Sequence, residues 1–311
     1  YTIPAGLVKA GKNTIAVRVF DTGGGGGIYD KNSKIVLSLG SQEISLVGEW
    51  KYSIGLHLNE LPPYPRPIDG PNRPTVLYNA MINPFINFKI KGAIWYQGES
   101  NTINYYSYEK LFTGMIESWR KEWKINFPFY FVQIAPFNYE YNYVGALLRE
   151  SQTKSSLYNN TGMVVITDLT PDTNNIHPVL KKEVALRLSN LALNKTYGYN
   201  QIVCESPLYA SHKIEKDKIK IQFTNANNGI ISKGDEITCF EIAGADKIFY
   251  PALAKIENNE VVVSNKNIKS PVAVRFAFNN TAIPNLFNKE GLPINLFRTD
   301  DWEMDRSEIK K

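Results

Sequence analysis

The sequence predicts an α/β protein, a parallel sheet with crossover helices, flanked on both sides by all-β modules. Three patterns carry that expectation. Between residues 75 and 200, short apolar runs alternate three times with amphipathic stretches of helical period, as βα units do. Before Trp50 and after Gln201 the helical period is absent, and period-two alternation broken by turn residues takes its place.

In order, residues 1–60 read as a β module. Ile15, Val17 and Val19 alternate with Thr14, Ala16 and Arg18, predicting a half-buried strand over Asn13–Phe20, and strands resume at Lys34–Leu39 and Glu43–Gly48. The glycines Gly23–Gly27 are followed by neither a Lys-Ser/Thr pair nor a helical pattern, so they read as a backbone turn and not a phosphate loop. Residues 61–74 form a proline-rich linker that excludes regular structure.

The α/β part spans 75–200. Strand Gly92–Gln97 leads to a helix over Asn104–Glu122, with Tyr108, Leu111, Phe112, Met115 and Trp119 on one face. Strand Phe127–Ala135 leads to a helix over about 143–157. Strand Gly162–Asp168 leads to a helix that starts at Pro178 and buries Leu180, Val184, Leu188 and Leu191. Three such units are about half a doubly wound domain, so the other half is expected upstream. Residues 201–303 form a second β domain, with strands at Lys218–Phe223, Glu236–Ile242, Glu260–Ser264 and Val272–Phe278, and 304–311 a charged tail. The opening Tyr1-Thr2-Ile3-Pro4 reads as the interior of a longer folded chain.

Composition narrows the classes. The chain has 311 residues, 43% of them apolar and 12% aromatic, with a formal charge of +5 spread among interspersed signs. That is globular and gives no basis for a nucleic-acid groove. No apolar run approaches the roughly 20 residues that span a bilayer. No His, Cys or carboxylate cluster has metal-ligand spacing, so neither metal nor organic cofactor is expected. Cys204 and Cys239 could pair or remain free.

The chemistry concentrates at the carboxyl ends of the predicted parallel strands, where open α/β sheets hold ligands. Gln97, Gly98, Glu99, Ser100 and Asn101 follow the first of these strands. Of the three histidines, His57 and His212 fall in the β modules, whereas His177 follows the third strand on the same edge as Glu99. A histidine and a carboxylate converging there suggest hydrolysis with His177 as general base, Glu99 orienting its imidazole and Gln97 facing an oxyanion. Glu99 could instead cap the following helix, and Gln97 could only pin its loop. Gly98-Glu99-Ser100 resembles the front of a nucleophile elbow, but Thr102 replaces the second glycine.

Trp95–Asn101, Leu148-Arg149-Glu150-Ser151-Gln152, and Ile176-His177-Pro178 followed by Lys182 and Arg187 together resemble the sialate O-acetylesterase family. That family belongs to the SGNH hydrolases and is related to the acetylxylan esterases. Residues 77–82, 240–244 and 285–301 extend the resemblance, and Pro4-Ala5-Gly6 with Asp21-Thr22-Gly23-Gly24 looks like the end of a jelly-roll module. The resemblance implies the C-terminal half of an SGNH-type parallel-sheet hydrolase domain, flanked by β-sandwich modules. It makes His177 the base and Glu99 its carboxylate. It also puts Gln97 near the oxyanion, in a loop whose Gly98, Ser100 and Asn101 could bind substrate.

Two departures matter. The family's Gly-Gln-Ser-Asn nucleophile block is absent, as is the glycine-bearing block after it. Where SGNH enzymes carry an aspartate three residues before the histidine, this chain has Asn174, which cannot ionise; Glu99 takes the weight, with Asp172 as second candidate.

The function this implies is hydrolysis of acetyl esters on sialic acid or a related sugar by a secreted or periplasmic carbohydrate O-acetylesterase, its nucleophilic serine on an upstream segment or associated chain. Neither nucleic acid nor membrane is an expected partner. Alternatives are an acetylxylan esterase, a self-sufficient hydrolase using Ser100, and a non-catalytic glycan-binding or structural fragment in which Trp95 and Tyr96 stack on sugars or pack in the core.

Overall fold

A computed structural model describes residues 1–20, 27–28, 34–56 and 70–304. His57, Gly23–Gly26, residues 61–69 of the proline-rich stretch, and the tail beyond Met304 lie outside the described residues. The chain divides into two compact units, Tyr1–Arg73 and Pro74–Lys311.

In the first unit, Val36–Leu39 (β1) and Gln42–Ser45 (β2) form an antiparallel hairpin. The strand expected over Asn13–Phe20 is not formed. Its alternation is real, but no described strand pairs with it, and Val17 and Phe20 stay 50% and 70% exposed. Alternation supplies a face to bury; a ladder also needs a neighbour.

The second unit holds a three-stranded parallel sheet, in the order Ala93–Trp95 (β3), Phe129–Val132 (β4), Thr161–Val164 (β5). β4 is central and wholly buried, and its alternating side chains feed two cores. Phe129 and Phe131 face Tyr105–Trp123 (α1) and Val144–Ser155 (α2) through Phe112, Ile116 and Leu148. Tyr130 and Val132 face Lys181–Lys195 (α3) through Val184 and Leu191.

Two helices differ from expectation. On α1 the buried stripe is Tyr105, Tyr108, Phe112, Ile116 and Arg120, which rotates Leu111 outward to 62% exposure. On the third helix, Pro178 does not begin the helix; regular bonding starts only at Lys181, and Leu180 is its N-cap. His177 therefore lies in the connecting loop, one turn ahead of α3.

The carboxyl-terminal part is antiparallel. Leu208–Glu215 (β6), Lys218–Thr224 (β7), Ile230–Ser232 (β8), Phe240–Ala243 (β9), Phe249–Pro251 (β10), Leu253–Glu257 (β11), Glu260–Ser264 (β12), Ala273–Phe276 (β13), Leu286–Asn288 (β14) and Phe297–Arg298 (β15) follow one another. They form two four-stranded sheets, β10-β9-β13-β15 and β11-β12-β7-β6, and the pair β14-β8. Ile219, Val261, Ile242 and Phe276 share a buried core with α1 and α2. Cys204 and Cys239 are free thiols. Among the described residues no helix is long and apolar enough to cross a membrane.

Arg120 fastens the amino edge of the sheet. The residue is 9% exposed, and its guanidinium donates to Phe127 O at 3.0 Å, Asn159 O at 2.7 Å and Asn160 O at 2.6 Å, the backbone just ahead of β4 and β5. Arg120→Met strips those carbonyls of a charged donor and is expected to lower unfolding free energy by about 3 kcal/mol. Urea denaturation should show a reduced midpoint at unchanged slope.

Candidate active site

The carboxyl edge of the sheet is built from the loops after β3, β4 and β5. After β3, Gly98 turns the chain with φ 155°. A Cβ there would lie 2.8 Å from Ile134 Cγ2 and 3.0 Å from Gln152 Nε2, so both conformation and space demand glycine. Glu99 opens a short 3-10 helix, Glu99–Asn104, that runs into α1, and no side chain caps its start. Gln97 Nε2 donates to Asn101 Oδ1 at 2.7 Å, and the Tyr108 hydroxyl donates to Gln97 O at 3.2 Å. Ser100 is exposed on this turn.

The loop after β5 is held by polar turns. Asp172 Oδ1 accepts from Asn174 N and Asn175 Oδ1 from His177 N, both at 2.9 Å. Asp172 thus spends one carboxylate oxygen on its own backbone, and Asn175 shapes the main chain at His177. The His177 side chain is exposed. Among the described residues no hydrogen bond joins Glu99 to His177.

Two contacts bring these loops to one edge. Lys181 Nζ, in the first turn of α3, lies 4.5 Å from the centre of the Tyr96 ring, next to Gln97. Asn138 N, after β4, donates to Thr173 O in the His177 loop at 2.8 Å. The root of that loop is fixed by Arg187, which grips Asp168 with two bonds of 2.7 Å and donates to Val165 O at 2.6 Å.

Three hydroxyls near this edge, Tyr96, Tyr139 and Thr167, are buried without a hydrogen-bond partner among the described residues. Burial, reinforced by the charge of Glu99, pushes the Tyr96 phenol up to about 12 and that of Tyr139 further. Both stay protonated at neutral pH and can serve as donors. Trp95 is partly buried and packs against Phe112, Trp119 and Phe129 at ring separations of 6.0–6.3 Å, which favours the packing role over sugar stacking. Sequence reasoning assigned no role to Lys181, Tyr139 or Gln152. The one signal for Gln152 was its place in the Leu148–Gln152 motif.

A family model described as "Carbohydrate esterase, sialic acid-specific acetylesterase" matches residues 67–192. Mouse sialate O-acetylesterase is 34% identical over 161 residues, 45% of this chain and 30% of that protein. The human sialate O-acetylesterase is 32% identical over 197 residues, 55% of this chain and 38% of that protein. A solved carbohydrate acetylesterase from Xanthomonas citri superposes with a TM-score of 0.69 at 36% identity, covering 74% of this chain and 55% of that one. The chain thus spans about a third of the length of these curated relatives.

Gly98→Ala forces a methyl against Ile134 and Gln152 in a conformation that L-residues avoid. A loss of about 2–3 kcal/mol is expected, with hydrogen-exchange protection falling first at Ile134 N, whose partner is Gln152.

Proposed function

We propose that this chain, which through residues 67–192 belongs to the sialic acid-specific carbohydrate acetylesterases, carries the proton-transfer part of a serine O-acetylesterase acting on O-acetylated sialic acid or a closely related acetylated sugar. The observation that carries the reading is the meeting of the Gln97–Asn101 and His177 loops at one sheet edge, marked by Lys181 over the Tyr96 ring.

In this reading a serine hydroxyl attacks the acetyl carbonyl and His177 takes its proton. The imidazolium that forms is stabilised by the carboxylate of Glu99. Gln97 commits one amide N–H to Asn101 and keeps a second for the oxyanion. His177 then returns the proton to the departing sugar oxygen, and water releases acetate by the same route.

The serine is assigned to an upstream segment of an SGNH-type sheet, and residues 1–60 are assigned to the end of a jelly-roll module that lies, in sequence, between that segment and β3. β3 supports that placement. β4 occupies one of its edges, no described strand occupies the other, and Ile94 is 70% exposed. An open parallel edge beside an exposed isoleucine suits a further strand with its own covering helix. As a family reading, the location is secreted or periplasmic.

Hydrolysis of 4-nitrophenyl acetate by the 311-residue chain, by its Ser100→Ala variant and by a version extended upstream tests the assignment. The expected result is turnover only in the extended protein, lowered about a thousandfold by His177→Ala. Turnover in the short chain that vanishes with Ser100→Ala would move the nucleophile to the Gly98–Asn101 turn, and near-native rates in His177→Ala would remove the base.

A further inference from the structure

Beyond the edge, the loop between β4 and α2 leads away from His177 toward the antiparallel sheets. Asn138 at its start is bonded to Thr173 of the His177 loop. At its far end Tyr143, in the left-handed conformation at φ 63°, precedes α2. A cavity of about 320 Å³ lies along this loop, lined by Asn138, Tyr139, Asn142 and Tyr143 on one side and by Glu241 and Asn279–Thr281 on the other. A second, of about 390 Å³, shares Tyr143 and Glu241 and is lined further by Lys247, Phe249, Arg275, Trp302 and Glu303.

The chemistry of the lining is specific. Glu241 stands opposite Arg275 in the β9–β13 ladder, yet Arg275 is committed to Asp300 through bonds of 2.9 and 2.8 Å, with its guanidinium 4.0 Å from the Phe249 ring centre. Glu241 is left without an ion pair among the described residues, at the junction of the two cavities. Burial raises its carboxyl, with Arg275 only partly offsetting. The side chains of Asn138 and Asn142 are exposed and make no hydrogen bond among the described residues, whereas Asn280 is spent on Gly145 N and Tyr141 O. The Tyr139 hydroxyl is buried and unpartnered. Unpaired amides, an unpaired carboxylate and aromatic rings can receive a ring of hydroxyl donors and acceptors with an apolar face. Lys247 and Arg275 line the second cavity together with Glu241 and Glu303, so its wall carries both signs and favours neither an anion nor a cation.

We propose that these joined cavities bind a neutral sugar of an extended glycan, so that the chain holds the saccharide carrying the acetylated residue as well as that residue itself. This rests on the proposed esterase reading for the identity of the glycan. The pocket, which runs along the loop from Asn138 to Tyr143 and on to Trp302, would select for longer substrates through KM and leave the chemical step alone.

The test uses the upstream-extended protein with O-acetylated sialyl-lactose and with the free O-acetylated monosaccharide, in wild type, Glu241→Gln and Asn142→Ala. The expected outcome is a wild-type preference for the trisaccharide, and a KM for it that rises about tenfold in each variant at unchanged kcat, with the monosaccharide unaffected. No preference in wild type, or a preference that both variants keep, would overturn the subsite. Saturation-transfer NMR of lactose with the 311-residue chain separates this from the esterase reading. If no ester is hydrolysed but transfer is seen in wild type and lost in Glu241→Gln, the subsite stands and the esterase reading falls. Absence of transfer in wild type would sink the subsite whatever the esterase does.

Discussion

One buried amide holds the carboxyl ends of β3 and β4 in register. Gln152, on α2, accepts from Ile134 N at 2.9 Å through Oε1 and directs Nε2 toward Gln97 O at 3.4 Å and Val132 O at 3.5 Å. Ile134 N lies just past β4, where the ladder can no longer satisfy it, and a buried unpaired N–H is costly. The loop bearing Gln97 and Glu99 is therefore positioned by a helix that follows it by some fifty residues. Gly98 belongs to the same constraint, since any side chain there would occupy the space of the Gln152 amide.

The same helix reaches outward. Arg149, fully buried, donates to Gly145 O and Asn279 O, and Glu150 pairs with Arg298 at 2.7 Å. Asn295 Nδ2 donates to Thr153 Oγ1 at 2.7 Å. Four neighbouring residues of α2 thus face two directions, toward the sheet edge and toward the antiparallel sheets. Arg149 has no carboxylate partner. Burial pushes its guanidinium down to about 10, which leaves it charged at neutral pH. Arg120 works in the same way at the opposite edge, on three carbonyls. In both places the planar fork binds carbonyls from two separate segments of the chain, a task that Lys, a single point charge, would do less well.

How much could be read from the sequence follows from the range of each interaction. The three strand–helix alternations were legible because hydrophobic period is local, and all three parallel strands and their helices are present. Helix boundaries were less so: Pro178 has the right chemistry for a first turn, but the chain stays irregular until Lys181. β6 went unrecognised because its pattern, Ser211-His212-Lys213, is polar, and it is recruited by pairing with β7. Asn13–Phe20 failed in the opposite way, with a good pattern and no partner strand among the described residues. At the site, the polar turn after an apolar run marked Gln97–Asn101, and the strand end marked His177. The roles of Lys181, Tyr139 and Gln152 depend on contacts between distant parts of the chain, and no local pattern encodes them.

Charge accounting at the edge bears on which carboxylate is available to a histidine. Arg187 is bound to Asp168, whereas Arg149 donates to carbonyls, which leave its charge uncancelled. Lys181 lies over the Tyr96 ring. Glu99 is left beside phenols that burial and its own charge keep protonated. Phenols can donate to an anion but cannot cancel its charge. Asp172, by contrast, has an oxygen bound to the backbone of its own turn. In the proposed mechanism the group that must gain a positive charge is His177, and the carboxylate assigned to it is the one whose oxygens make no bond to the backbone of its own turn among the described residues. That difference in hydrogen bonding is the reason for proposing Glu99 ahead of Asp172.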